Sequence, residues 1–116
     1  MKATPQELMD GLVQKNQLLS HKNDEYLDLI KKRAEAERVY NMAVAEKTMR
    51  LKMDGMAIGM IDKLVRGDAT VSGLKLKLDV AEGVERACLN GIKDLRSAVD
   101  TYRSLLAWLK AEMQAQ

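Results

Sequence analysis

Residues 71–113 read VSGLKLKLDVAEGVERACLNGIKDLRSAVDTYRSLLAWLKAEM, and this stretch decides the fold. Apolar or weakly polar side chains recur in it at alternating steps of three and four residues, with Glu85 as the one charged exception. The row consists of Val71, Leu74, Leu78, Ala81, Glu85, Cys88, Ile92, Leu95, Val99, Tyr102, Leu106, Leu109 and Met113. Because this alternation is typical of a coiled coil or a helical bundle, we predict one helix over about residues 70–114.

A second row widens the apolar stripe on one side only. It consists of Val84, Gly91, Ala98 and Leu105, whereas the other flank carries Lys75, Glu82, Leu89, Arg96, Arg103 and Lys110. A stripe three positions wide is more than one antiparallel partner helix covers. We therefore predict a homo-oligomer, a multi-helix bundle formed through Val84, Gly91, Ala98 and Leu105. Trp108 either packs on the start of the first helix or marks a further subunit contact.

The first half of the chain predicts another long helix, over about residues 5–53. Thr4, Pro5 and Glu7 form a capping box with proline at the first helical position. Its heptad row is Leu12, Leu19, Tyr26, Arg33, Tyr40 and Lys47, accompanied by Leu8, Leu29, Ile30, Ala36, Ala43, Val44 and Leu51. Five polar residues at 20–24 are compatible with two interpretations, a continuous helix or one that bends or restarts there, with Asn23 or Asp24 as a second cap.

Glycines mark residues 54–70 as the turn of the molecule, which we call the tip. Gly55 is placed to end the first helix in a left-handed conformation, and Asp68 or Thr70 to cap the second. The residues between are enough for a short helix. The predicted fold is all-α, a long antiparallel helical hairpin with a short helical tip, forming a single domain over 1–116.

Folding the chain at about residue 62 pairs positions whose numbers add up to about 124. Glu85, the charged residue of the second helix's row, then lies opposite residue 39. We therefore predict an ion pair between Glu85 and Arg38, one that fixes register more than it adds stability.

Composition narrows the class of protein. Hydrophobic residues make up 47% and charged residues 31%, with a formal net charge of +2. Cys88 is the one cysteine, so no intramolecular disulfide is possible, and we expect a reducing compartment, usually the cytoplasm. There is no run of 18 apolar residues, so we expect no membrane partner.

Residues that support chemistry are scarce. His21 stands alone, whereas a zinc site needs several Cys or His ligands. Cys88 belongs to the apolar row, which is typical of a small core residue. No Ser-His-Asp set and no phosphate-binding loop is visible. We therefore expect no catalytic residue, no metal, no cofactor and no enzymatic activity.

The tip offers candidate partner-binding residues. Four methionines, Met49, Met53, Met56 and Met60, fall near it, together with Lys63 and Arg66. Methionine-rich surfaces adapt to different partners, so we predict that the tip binds another protein. The alternative is nucleic acid, since residues 31–77 contain eleven basic and six acidic side chains.

Residues 40–113 resemble a family of small helical proteins of unknown function from phages and prophages of Gram-positive bacteria. The resemblance rests on Tyr40, Ala43, Leu51-Lys52-Met53-Asp54-Gly55-Met56, Ile61, Leu64-Val65-Arg66-Gly67-Asp68, Val71, Leu74 and Asp79-Val80-Ala81-Glu82. Genes of that family often lie among early genes for replication or recombination. The resemblance implies a cytoplasmic phage accessory protein, and it carries over no catalytic residue.

Overall fold

The computed structural model describes residues 3–115, and these form an all-α helical hairpin. Three helices follow each other along the chain: α1 spans Pro5–Met53, α2 spans Ile58–Gly67 and α3 spans Ala69–Ala115. No strand occurs within that range. The helices form two compact units. The terminal unit combines the chain up to Leu27 with the chain from Ala87 onward, and the central unit is Asp28–Arg86.

The first turn of α1 is held by the predicted capping box. The Glu7 amide donates to Thr4 Oγ1 at 3.1 Å, and the Thr4 amide donates to Glu7 Oε2 at 3.2 Å. Two amides that lack helical partners are thereby satisfied.

Helix α1 then runs without interruption through residues 20–24, so it does not restart at Asn23 or Asp24. None of the five polar residues is glycine or proline. Leu19 and Tyr26, on either side of them, are half-buried in the seam between α1 and α3. Packing of one face therefore outweighs the weak helix propensity of the polar run.

Gly55 ends α1 as predicted, in the left-handed conformation with φ +76°. Its amide donates to the Lys52 carbonyl at 3.1 Å, and the Met56 amide donates to the Leu51 carbonyl at 3.0 Å. This pair of hydrogen bonds is the Schellman motif, which satisfies carbonyls that the last turn would leave open.

Asp68 rather than Thr70 caps α3. Its Oδ2 accepts a hydrogen bond from the Val71 amide at 3.0 Å, and its carbonyl accepts one from the Ser72 amide at 2.8 Å. Lys47 Nζ lies 3.5 Å from Asp68 Oδ1. The hydrogen bond from Val71 lowers the pKa of Asp68 most, and the charge of Lys47 adds to the effect.

The core of the central unit joins all three helices. Leu51 of α1, Ile61 and Val65 of α2, and Val71 of α3 are buried together. Tyr40, Ala43 and Val44 pack around this cluster. Since Ile61 and Val65 are four residues apart, α2 buries one narrow face and leaves the rest open.

The terminal unit packs α1 against α3 alone. Its buried side chains are Leu8, Cys88, Ile92 and Val99. Helix α1 comes close to α3 at Gly11, where an added Cβ would lie 2.6 Å from the Tyr102 ring.

The predicted rows are the ones that face inward. Every position of the α3 row from Val71 to Leu109 is buried or half-buried, and only Met113 is exposed. All positions of the predicted α1 row and its accompanying apolar residues are also buried or half-buried.

The register differs from the prediction, because Glu85 pairs with Arg33 and not with Arg38. Arg33 Nε lies 2.8 Å from Glu85 Oε2, whereas Arg38 pairs with Glu35 on its own helix. The cause lies at the tip, where Lys47 already meets the start of α3 at Asp68. The last turn of α1 extends past that point and contacts α2 through Leu51. The partner of Glu85 therefore lies five residues earlier in α1 than predicted, and the paired residues are farther apart in sequence than a symmetrical fold predicts.

Candidate interaction surfaces

Large apolar side chains are exposed around the tip of the central unit. All four predicted methionines are exposed, with Met53 at 82% as the extreme case. Met49 and Met53 line an open groove of about 300 Å³ with Glu46, Arg50 and Asp54. The predicted partner-binding methionines are therefore accessible and belong to one unit of the structure.

Two further apolar residues of α2 share this exposure and were missed by the sequence analysis. Ile58 is 87% exposed at the first position of α2, and Leu64 is exposed one turn after Met60. A helix of ten residues is too short for periodicity to show which apolar positions are covered. We use the name apolar tip for Met49, Met53, Met56, Ile58, Met60 and Leu64.

The cations around the apolar tip differ in how they are paired. Arg66 pairs with Asp62 one turn earlier in α2. Arg50 pairs with Glu46, and Lys47 with Asp68. Within residues 3–115, Lys52 and Lys63 form no ion pair. Much of the positive charge near the tip is thus balanced inside the unit.

The residues predicted to mediate self-association do not share one environment. Val84 is exposed on α3 in the central unit. In the terminal unit, Gly91 and Ala98 are half-buried, whereas Leu105 is exposed and Trp108 is 61% exposed. A Cβ added at Gly91 would lie 3.5 Å from Lys22 Cε, in ordinary van der Waals contact.

Trp108 and Leu105 border an apolar groove of about 300 Å³ in the terminal unit. Its other walls are Ala3, Leu8, Leu109 and Glu112. Of these side chains, Leu8 is buried, so the groove has an apolar floor and an exposed aromatic rim. An aromatic side chain exposed beside an apolar groove is typical of the centre of a protein–protein contact.

The polar groups between α1 and α3 form hydrogen bonds that connect the two helices. Arg33 donates to Glu85 at 2.8 Å and to Glu37 at 2.9 Å, and these hydrogen bonds, that of Glu85 first, raise the pKa of Arg33. Cys88 is buried, and its Sγ lies 3.7 Å from the Lys22 carbonyl oxygen. Both arrangements satisfy polar atoms between the helices.

Neither a metal cluster nor a membrane span is found in the described part of the chain. No three His, Cys, Asp or Glu residues come together there as a metal site would require. None of the helices has a stretch both long and apolar enough to cross a bilayer.

Comparison of the chain with protein families, with curated proteins and with solved structures gives no match. The resemblance to phage proteins therefore stays a prediction.

Proposed function

We propose that this chain is a non-enzymatic interaction protein whose apolar tip binds another protein. The observation that carries the proposal is the exposure of Met53 and Ile58, at 82% and 87%, beside further exposed methionines. Water contact with six large apolar side chains is unfavourable, and a partner surface that covers them removes that cost.

The flexibility of methionine favours a protein as the partner. A thioether side chain has three rotatable bonds and is polarizable, so it fits irregular apolar surfaces. Lys52 and Lys63 lie outside the ion pairs of the tip and supply charge at its edge. We therefore propose a host or phage protein with an apolar patch bordered by carboxylates.

Nucleic acid is the less favoured partner because of the charge balance. Lys47, Arg50 and Arg66 pair with carboxylates of the same unit, so fewer cations remain for phosphates. The tip residues 54–70 include no aromatic side chain on which a base could stack.

The proposal includes self-association through the terminal unit. Leu105 and Trp108 are exposed beside an apolar groove, and a second copy of the chain would cover them. This contact shares no residue with the apolar tip.

A substitution experiment tests the tip proposal. Met53→Ser with Ile58→Ser removes the two most exposed apolar side chains, and Met42→Ser with Met113→Ser changes two exposed methionines outside the tip. Proteins retained by each immobilised variant from phage-infected cells are quantified by mass spectrometry. We expect at least one protein to be retained about tenfold less by the tip variant and equally by the control variant.

Salt dependence separates the two kinds of partner in the same experiment. A protein held by apolar contacts stays bound as the salt concentration rises. Retention of nucleic acid that falls steeply with salt and disappears with Lys63→Glu would contradict the proposal and favour the nucleic-acid alternative.

A further inference from the structure

The sequence row Leu89, Arg96, Arg103 and Lys110 takes part in no ion pair among the described residues and lies outside the proposed tip contact. It flanks the α3 seam on the side opposite Gly91, Ala98 and Leu105. Arg96, Arg103 and Lys110 are exposed. None of the three forms an ion pair with any residue between 3 and 115, so their charges are available to a partner.

The contacts of the terminal unit show which α1 residues share this side. Gly11 lies against Tyr102, and Gly91 lies beside Lys22. Both glycines are therefore on the same side of the seam, which we call its first side; the row with Arg96 is on the second side. In an antiparallel coiled coil, equivalent flanking rows of the two helices lie on the same side. The second side of α1 is therefore formed by the row Met9, Asn16 and Asn23 and by the next row outward, Val13, Ser20 and Leu27.

These two α1 rows contain no charged residue, and they expose apolar side chains. Met9 and Val13 are about half exposed, and Leu27 is 59% exposed. On α3, the second side also carries the exposed Lys93 next to the three cations, and Asp100 is its one acidic residue. The second side of the terminal unit thus pairs an apolar edge on α1 with a cationic edge on α3.

Both edges have the length of a short helix. Val13 and Leu27 are fourteen residues apart, as are Arg96 and Lys110, so each edge extends over about 21 Å at 1.5 Å per residue. The two edges are staggered, because the contacts of Gly11 with Tyr102 and of Gly91 with Lys22 place Val13 beside the stretch from Arg96 to Arg103. Leu27 and Lys110 lie at opposite ends, and the whole surface extends over about 36 Å. Arg96, Arg103 and Lys110 are seven residues apart, so a helix lying alongside can place a carboxylate opposite each of them if its own carboxylates are also seven residues apart. Flanking charges of coiled coils are arranged in this way.

We propose that the second side of the terminal unit is a docking surface for an acidic amphipathic helix of another protein. The apolar face of that helix packs on Met9, Val13 and Leu27, and its carboxylates face Arg96, Arg103 and Lys110. The apolar edge distinguishes this partner from a nucleic acid, whose phosphates gain nothing from covering it. The surface shares no residue with the apolar tip.

A designed peptide tests the surface directly. The probe is a fluorescein-labelled helix of about 28 residues, long enough to reach from Lys110 to Leu27, with Leu at the two seam positions of each heptad and Glu at both flanking positions. A counterpart carries Lys in place of Glu. Binding to the full chain is followed by fluorescence anisotropy. We expect the Glu peptide to bind at least about tenfold more tightly than the Lys peptide.

Variants of the chain locate the contact. Arg96→Glu with Arg103→Glu weakens binding of the Glu peptide by about tenfold or more, and the milder Arg96→Gln with Arg103→Gln by about threefold. Val13→Ser with Leu27→Ser also weakens it. Lys31→Glu with Lys77→Glu makes the same charge change elsewhere on the exposed surface and leaves the affinity within about twofold.

Three results would overturn the proposal. They are no binding of the Glu peptide, equal binding of both peptides, and tighter binding of duplex DNA of about 20 base pairs that is lost in the same variants. None of them affects the tip proposal, because Met53 and Ile58 are unchanged throughout.

Discussion

At the scale of single residues, two glycines that both lie inside long helices differ in whether a side chain would fit in their place. Gly11 lies where α1 meets the Tyr102 ring, so close that an added Cβ would force the ring to move. Gly83 is also inside a long helix, but nothing lies within 4 Å of the position a Cβ would take. Glycine inside a helix costs about 1 kcal/mol relative to alanine. The close contact explains a glycine at position 11, whereas nothing in the structure explains the one at position 83.

Gly11→Ala and Gly83→Ala should therefore change stability in opposite directions. Gly83→Ala is expected to stabilise the protein by about 0.5–1 kcal/mol through helix propensity. Gly11→Ala displaces the Tyr102 ring, and this overpacking reverses the gain to a net loss of about 1 kcal/mol. Urea unfolding followed by circular dichroism measures both. Equal stabilisation by the two substitutions would show that the contact at Gly11 is absent.

Asp68, which caps α3, makes the stability of the folded chain depend on pH. Because its pKa is lowered in the folded chain, its contribution to stability is complete above the ordinary value of 3.8 and is lost as the pH falls through the lowered pKa. Asp68→Asn keeps a capping side chain but does not titrate. Between about pH 4 and about pH 2 we expect the melting temperature of the wild type to fall more steeply than that of Asp68→Asn. Parallel curves would contradict this assignment.

At the scale of elements, α2 is the helix whose buried positions sequence periodicity does not predict. The long rows of α1 and α3 could be predicted because their spacing repeats over many turns, and the covered positions are the predicted ones. In α2, Ile58 and Ile61 are equally apolar, but only Ile61 is buried. Which of them packs depends on where Leu51 and Val71 meet α2, and this is a tertiary property.

The pair Ile58 and Ile61 gives a matched test of α2. Ile61→Ala leaves a cavity in the cluster with Leu51 and Val65, so we expect a loss of about 2–4 kcal/mol of unfolding free energy. Ile58→Ala removes an exposed side chain and should change stability by less than about 0.5 kcal/mol. Chemical denaturation checks both. A comparable loss at Ile58 would mean that it is covered, which would remove it from the apolar tip.

At the scale of the whole molecule, the register shows what the sequence leaves undetermined. Both ends of α1 and the start of α3 follow from local signals at Thr4, Gly55 and Asp68. The pairing of Glu85 with Arg33 does not, because it depends on how far α1 extends past the start of α3. The interaction surfaces were predicted in part. Methionines near the tip could be read from the sequence, whereas the exposure of Ile58 and Leu64 could not.

Self-association is a prediction at the same scale. We expect light scattering across a dilution series to give a constant mass of at least twice the 13.0 kDa of one chain. Leu105→Glu with Trp108→Glu should give a monomer, since each places a charge in the apolar contact. Leu76→Glu, at an exposed leucine of α3 outside the row, should leave the mass unchanged. A monomeric wild type would contradict the predicted homo-oligomer.

The tip contact is tested most directly by site-specific photo-crosslinking in living cells that produce the protein. A photoreactive amino acid replaces Ile58 in one variant and the exposed Met42, outside the apolar tip, in another. We expect a protein adduct of one discrete mass from position 58, absent from position 42 and absent without illumination. No adduct at position 58, or the same adducts from both positions, would contradict the claim that the apolar tip binds a protein.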